Sequence, residues 1–154
     1  MDKCRNCKNL KLLNLFSLGS MSFTGKFPKN KRTNIKKTEL GLVICSNCSL
    51  VQLNRNYNLK YLYNPDYGYR TGINRTMTKH MDNVRKMLSR KSKLVSGDYV
   101  LDIASNDATL LNLYNKNIVK VGIDPLVNKY IKHYKKIDYK ISNFFSASKI
   151  FEKK

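Results

Sequence analysis

In this chain of 154 residues, the fold class is best indicated by the segment Tyr99-Val100-Leu101-Asp102-Ile103-Ala104-Ser105-Asn106-Asp107-Ala108. Its first half is a short apolar run, typical of a strand, and its second half is a tight polar loop. Two further apolar runs follow, 118–123 and 137–141, and the first of them ends at Asp124. The segment 109–114 is expected to start a helix, and a second helix is marked by Val127, Tyr130, Ile131 and Tyr134. This order of strand, loop and helix predicts an α/β domain with a parallel sheet.

A nucleoside site is expected at the carboxyl ends of these strands, where open parallel sheets bind ligands. The loop 104–108 meets a helix N-terminus there, whose N–H groups favour polar or anionic ligand atoms. The carboxylate of Asp124, 22 residues after Asp102, can accept both hydroxyls of an adenosine ribose. In the alternative interpretation, Asp107 only caps a helix and Asp124 is only a turn residue.

The composition of the loop narrows the choice of ligand. It has no glycine, which a dinucleotide normally needs so that its pyrophosphate can approach the backbone. S-adenosylmethionine has no phosphate, and acids such as Asp102 or Asp107 can accommodate its sulfonium and amino groups. The sequence therefore favours S-adenosylmethionine as the cofactor.

The four cysteines form two pairs, Cys4-x2-Cys7 and Cys45-x2-Cys48. A Cys-x2-Cys turn lets two thiolates reach one tetrahedral ion, and two such turns complete a closed shell that suits Zn(II). Iron–sulfur chemistry, a disulfide or a redox role remain alternatives, although a redox motif does not explain the second pair. We therefore expect a structural zinc ion with no open position for catalysis.

The patterns divide the chain into three parts: a zinc-binding β module (1–53), a tyrosine-rich connector with a helix (54–93), and the first part of a Rossmann-like domain (94–154). The tyrosines of the connector either pack between modules or stack on a flat ligand. The helix is expected over roughly 76–92, with an apolar face that is more typical of a core than of a cofactor site, formed by Met77, Met81, Val84 and Leu88. His80 beside that face is interpreted as a packing residue.

The charge pattern bears on partners and location. The chain has 30 Lys and Arg against 10 Asp and Glu, a net charge of +20 that is spread over both halves. No apolar run approaches the ~18 residues of a membrane span, and the N-terminus shows no secretory signal, so a cytoplasmic protein without a membrane partner is expected. The basic loop 25–37 is interpreted as a solvent-exposed loop between the two cysteine pairs. The less favoured alternative is a zinc ribbon that binds nucleic acid through this loop.

In order along the chain, the motifs resemble those of the zinc-containing S-adenosylmethionine-dependent C-methyltransferases that act on nucleotide-linked deoxysugars. The resemblance covers essentially the whole chain and is carried by Cys4-x2-Cys7, Cys45-x2-Cys48-Ser-Leu-Val-Gln-Leu53, Tyr67-Gly-Tyr69-Arg-Thr-Gly72, His80, Asp102–Leu111 and Gly122-Ile-Asp-Pro125.

The resemblance implies roles residue by residue. It implies zinc ligation by Cys4, Cys7, Cys45 and Cys48. It places Ala104, Ser105, Asn106 and Asp107 at the methionine end of the cofactor, Asp124 and Pro125 at the ribose and adenine, Asn143 and Phe144 at the adenine, and Tyr67 and Tyr69 over the pocket.

The sequence of this chain departs from the family pattern in two ways. The family has glycine where this chain has Ala104 and Ala108, and a positive φ at either would cost ~1 kcal/mol or more. Family members are also more than twice as long, and the resemblance implies that their acid/base residues lie beyond this chain's end.

No catalytic residue is therefore assigned, and neither His80 nor His133 is proposed as one. We expect the chain alone to be inactive. Three interpretations stay open: a fragment, a split gene whose C-terminal portion is encoded separately, or a decayed, non-catalytic copy.

Overall fold

The computed structural model describes residues 3–23, 28, 30–64 and 66–151. The chain divides into two compact units, Met1–Tyr67 and Gly68–Lys154. The predicted mixed α/β class is confirmed, with an antiparallel sheet in the first unit and a parallel sheet in the second. Part of the predicted basic loop, including Lys26 and Lys29, falls outside the described residues. Within those residues, no helix is both long and apolar enough to cross a membrane.

The first unit is built on three strands, β1 (Leu12–Ser22), β2 (Lys37–Cys45) and β3 (Val51–Leu53), in the order β1-β2-β3. Strand β1 is mostly exposed, and two register shifts interrupt its pairing with β2. The described apolar side chains that are buried in this unit are few: Cys4, Val43 and Cys45. So small a core rarely stabilises a domain alone, which gives a metal site structural importance.

The second unit contains a parallel sheet of β4 (Tyr99–Ile103), β5 (Val119–Ile123) and β6 (Tyr139–Ile141), in the order β4-β5-β6. All three strands were expected from the apolar runs. On one face, Val121, Ile123 and Ile141 form a buried cluster that Ile150 of helix α2 (Ala147–Phe151) covers. On the other face, the Tyr134 ring lies so close to Gly122 that an added Cβ would be 3.0 Å from it.

The helices predicted from Thr109 and from Val127 are wrong. Short 3₁₀ turns, Leu111–Leu113 and Ile131–His133, stand in the two crossovers. In the first crossover, only six residues lie between the loop 104–108 and the asparagine-rich turn at 115–117. Six residues are too few for a stable α-helix. Periodicity in so short a segment therefore indicated the buried side of a turn.

The predicted connector helix is confirmed as α1 (Arg75–Ser92). The Asn74 side chain accepts a hydrogen bond from the Met77 N–H at 3.1 Å and caps its start. The expected core face is only half-buried, and Leu88 is 39% exposed. His80 is exposed and so is not the packing residue that the pattern suggested.

Candidate functional site

The two Cys-x2-Cys segments fold into the same turn twice. The Lys8 N–H donates to the Cys4 carbonyl at 3.1 Å, and the Ser49 N–H donates to the Cys45 carbonyl at 3.0 Å. Lys8 and Ser49 both have a positive φ, of 64° and 57°. The repeated left-handed residue closes each turn and lets both thiols of a segment reach one side.

The two turns bring all four sulfurs together. The Sγ atoms lie within 4.8 Å of one another, with Cys4–Cys48 at 3.6 Å and Cys7–Cys45 at 3.5 Å. Sulfurs bound at ~2.3 Å to a tetrahedral zinc ion would be about 3.8 Å apart. All four cysteines are free, so the disulfide alternative is not what the fold contains. The donor set fits Zn(II), and its four thiols leave no position for a substrate.

Backbone N–H groups prepare two of these thiols to lose their protons. The N–H groups of Cys48 and Asn47 lower the pKa of Cys45 to about 6. The Leu50 N–H lowers the pKa of Cys48, whereas burial raises the pKa of Cys4. Since a metal binds the thiolate, these N–H groups favour the metal-binding form.

Two supporting residues were missed by the sequence analysis. Buried Gln52 accepts the Arg5 N–H at 2.9 Å through Oε1, which ties the first turn to β3. The Asn9 amide donates to Ser46 Oγ at 3.1 Å, which ties the first turn to the second. A buried amide in the apolar run Val51-Gln52-Leu53 was the available signal.

The second candidate site lies at the carboxyl ends of the parallel strands. There the Asn106 N–H of the loop after β4 donates to Asp124 Oδ2 at 3.0 Å, and the Leu126 N–H donates to Asp124 Oδ1 at 2.7 Å. The predicted loop and the predicted acid are therefore in direct contact. Each carboxylate oxygen keeps a further lone pair, although Asp124 is only 6% exposed.

The loop after β4 is strained at the two alanines. Ala104 and Ala108 have φ values of 62° and 59°, and Asn106 between them has 48°. Asparagine tolerates this conformation, whereas alanine in it is disfavoured by roughly 1–2 kcal/mol. The positive φ anticipated at the family's glycine positions is therefore present at both.

A segment that we call the strap, Tyr69–Gly72, clamps this loop. The Asn106 side chain accepts the Thr71 N–H at 2.9 Å and donates to the Tyr69 carbonyl at 3.3 Å. The Gly72 N–H donates to Asp107 Oδ2 at 3.0 Å, and the same oxygen lies 3.8 Å from Arg70 Nε. The strap thus occupies polar atoms of Asn106 and Asp107 that the sequence assigned to the cofactor.

The remaining predicted cofactor residues lie in different surroundings. Buried Ser105 shares a hydrogen bond of 2.8 Å with the Tyr134 hydroxyl, and Ala104 is exposed. Half-buried Pro125 follows Asp124. Exposed Asn143 and half-buried Phe144 follow β6, at the same edge of the sheet as Asp124. Tyr69 belongs to the second unit, and Tyr67 to the first.

Two carboxyl groups, those of Asp102 and Asp124, lie near each other at this end of the sheet. Burial and the charge of Asp124 raise the pKa of Asp102 from 3.8 to about 6. Burial also raises the pKa of Asp124, against the lowering effect of the N–H groups of Leu126 and Asn106. The site therefore favours a ligand that brings hydroxyl donors or a positive charge.

Neither histidine is placed as a general base. His80 is exposed on α1, and His133 Nε2 lies 2.6 Å from Arg70 Nη1. Because arginine has only donors, His133 must offer a lone pair to it, and that nitrogen is engaged. The structure assigns no catalytic residue among the described residues.

Comparison with known proteins identifies the first site. Residues 4–63 match the family Methyltransf_13, described as "Putative zinc binding domain". No curated protein matches the chain. The match spans both Cys-x2-Cys turns and the three strands between and after them, in agreement with the sulfur geometry. Residues 4–63 are therefore similar to a zinc-binding domain family whose name refers to methyltransferases.

Proposed function

We propose that this chain provides the zinc-binding and cofactor-binding part of an S-adenosylmethionine-dependent C-methyltransferase that acts on a nucleotide-linked deoxysugar. The observation that carries the proposal is the 3.0 Å hydrogen bond between the Asn106 N–H and Asp124 Oδ2. It joins the loop after the first parallel strand to the acid after the second, which is where an adenosine would sit. The methyltransferase-related domain at 4–63 supports the same function.

The charges of the second site favour this cofactor over a dinucleotide. Burial and the neighbouring charge of Asp124 raise the pKa of Asp102, and a pyrophosphate would add further negative charge beside these two carboxyl groups. S-adenosylmethionine brings a sulfonium and an ammonium group, which carboxylates attract, and two ribose hydroxyls, which Asp124 can accept. The chemistry it supplies when bound is a methyl group activated for transfer.

The residues of this chain would hold the cofactor, and the general base is supplied elsewhere. Asp124 would accept ribose hydroxyls, Ala104 and Asn106 would present the loop backbone to the methionine end, and Asn143 and Phe144 would flank the adenine. Zinc on the four cysteines would stabilise the first unit and take no part in the transfer. Free cysteines also suit the reducing cytoplasm, where we place the protein.

The exposed apolar face of β4 supports the proposal that a further polypeptide segment packs against the parallel sheet. Among the described residues β4 pairs only with β5, and one face of β4 exposes Tyr99, Leu101 and Ile103 by 58%, 42% and 50%. Their neighbours on β5, Val121 and Ile123, are buried on the same face. We propose that a segment on this chain or on a separately encoded one covers β4 and brings the catalytic residues.

Calorimetric titration of the zinc-loaded chain with S-adenosylmethionine tests the cofactor site. We expect micromolar affinity, and Asp124→Asn should weaken it by at least about tenfold because a charge-assisted hydrogen bond is lost. Asp138→Asn is the matched control, since Asp138 Oδ2 accepts the Lys120 N–H at 2.8 Å at the opposite edge of the sheet. An absence of binding, or equal loss in both variants, would refute the proposal.

A further inference from the structure

A cleft of about 470 Å³ opens in the first unit, in a region that the zinc site does not use. It lies where the end of β1 meets the start of β2 and the 3₁₀ turn Leu59–Tyr61. Phe23 and Lys36 face each other across the two strands, and the Phe23 N–H donates to the Lys36 carbonyl at 3.2 Å. Its volume falls in the range of ~300–1,000 Å³ that small-molecule sites occupy.

Aromatic rings form one wall of the cleft. The rings of Phe23 and Tyr61 lie 5.9 Å apart and are tilted by 31°, and Tyr57 meets Phe23 edge-on at 6.0 Å. Tyr61 is 44% exposed, so part of its ring is open to a ligand. Such a wall suits a flat ring, which can pack against it in an offset or tilted stack.

Positive charge lies beside this wall. Lys36 Nζ sits 4.7 Å from the centre of the Tyr61 ring. The segment 30–38 has four cations and no acid, and all four cations are exposed: Lys31, Arg32, Lys36 and Lys37. Because the Lys36 ammonium lies beside the Tyr61 ring, a cationic ligand would be repelled, whereas an anionic group beside the ring would be attracted.

Polar side chains complete the lining. Asn34 brings an amide that can both donate and accept, and Asp66 brings a carboxylate that accepts. These groups match the polar edge of a nucleobase, and the lysine matches a phosphate. A purely apolar ligand would leave both unused.

From this combination we infer that the cleft binds a nucleotide, with the base against Phe23 and Tyr61 and a phosphate on Lys36. The inference does not rest on methyl transfer, because all of the residues that carry it belong to the first unit. The same chemistry could come from a free nucleotide, from the nucleotide part of a linked sugar, or from a nucleic-acid strand.

Titration of the full, zinc-loaded chain with uridine 5′-monophosphate and with uridine tests the phosphate contact. We expect saturable binding of the monophosphate, about tenfold weaker in Lys36→Gln, while uridine binds both proteins equally. Lys37→Gln is the matched control, because Lys37 is the adjacent exposed lysine and is not among the residues that line the cleft. Equal binding of uridine and its monophosphate by the unmodified chain, or equal weakening in both lysine variants, would overturn the inference.

A second pair of variants tests the ring. Tyr61→Leu should weaken the monophosphate and uridine alike by about tenfold, and Tyr63→Leu, which removes an exposed tyrosine outside the cleft, should leave both within twofold. Zinc content and thermal midpoint, measured on each variant, show that the domain is folded. A Tyr61→Leu protein that is folded and binds as tightly as the original chain would contradict the stacking role.

Titration with a short oligothymidylate distinguishes a single nucleotide from a nucleic-acid strand as the ligand. Binding much tighter than that of the monophosphate, with a steep loss on adding salt and the same dependence on Lys36 and Tyr61, identifies a nucleic-acid strand. Similar affinity for both identifies a single nucleotide. Oligothymidylate binding that is indifferent to both variants, with no saturable binding of the monophosphate, would show general attraction to a basic protein and overturn the site.

Discussion

The two candidate sites hold negative charge in opposite ways. In the zinc-binding domain, backbone N–H groups lower the pKa of Cys45 to about 6. At the edge of the parallel sheet, burial and Asp124 raise the pKa of Asp102 to about 6. The zinc-binding site stabilises the Cys45 thiolate and so suits a metal cation. The edge of the parallel sheet disfavours a second carboxylate charge beside Asp124, so it suits a ligand with hydroxyl donors or one positive charge.

Removal of zinc should destabilise the first unit far more than the second. Structural zinc contributes roughly 10 kcal/mol or more to folding, and the described core of the first unit is small. We expect a chelator to abolish amide-exchange protection in β2 and β3 while the strands of the second unit keep theirs. Zinc, but not magnesium, should restore it. Retained protection of β2 after complete removal of the metal would contradict a structural role.

The variant Asp102→Asn should change how the stability of the second unit depends on pH. The native pKa of Asp102 is raised from 3.8 to about 6, so its contribution to stability is full below about pH 4 and is lost as pH rises through 6. Relative to the original chain, Asp102→Asn should therefore gain up to about 3 kcal/mol between pH 4 and pH 7.5.

Urea unfolding at the two pH values measures that gain. As a control, Asp124→Asn should lower the pKa of Asp102, since it removes the repelling charge, and NMR titration of the carboxyl carbon reports it. A gain for Asp102→Asn that is the same at both pH values would refute the assigned shift.

The variant Gly72→Ala tests the strap that holds the second site. A Cβ at Gly72 would lie 2.8 Å from both Asp107 Oδ2 and Thr109 Oγ1, so we expect a loss of about 2 kcal/mol. Amides of the loop 104–108 should exchange faster than in the original chain. Gly19→Ala is the comparison variant, because a Cβ there meets open space and only its φ of 70° is disfavoured. Unchanged exchange in the loop would show that the strap does not hold it.

The smallest effect is expected from Ala104→Gly, which relieves one strained residue. Ala104 is exposed, so the substitution removes little packing, and its φ of 62° suits glycine. We expect a gain of about 1 kcal/mol in the free energy of unfolding. Ala147→Gly, at the start of α2, should have the opposite sign. A loss of stability in Ala104→Gly would contradict the assignment of strain.

The sequence revealed most of this fold where one local pattern determines the structure. The cysteine spacing predicted the four-sulfur cluster, and the apolar runs predicted β4 at its observed bounds. The predictions of the crossover helices failed because periodicity over six to eight residues cannot distinguish a helix from a buried turn. The family's glycine positions located Ala104 and Ala108, but only the structure gives their φ values.

The strap could not be predicted, for a different reason. Its contacts join residues about 35 positions apart, such as Thr71 with Asn106, and no local pattern reports them. The family resemblance assigns Asn106 and Asp107 to the cofactor, and their polar side chains also make them partners for the strap. Polar side chains next to a site can serve either purpose, and only the fold decides between them.

The exposed face of β4 should affect how copies of this chain behave together in solution. Among the residues that the structure describes, β4 pairs only with β5, and a strand edge without a partner beside exposed apolar side chains favours self-association. The net charge of +20 keeps copies apart, but only while few salt ions screen it. Solutions should therefore stay clear in dilute buffer and scatter more light as sodium chloride is added, and Leu101→Lys should delay that onset.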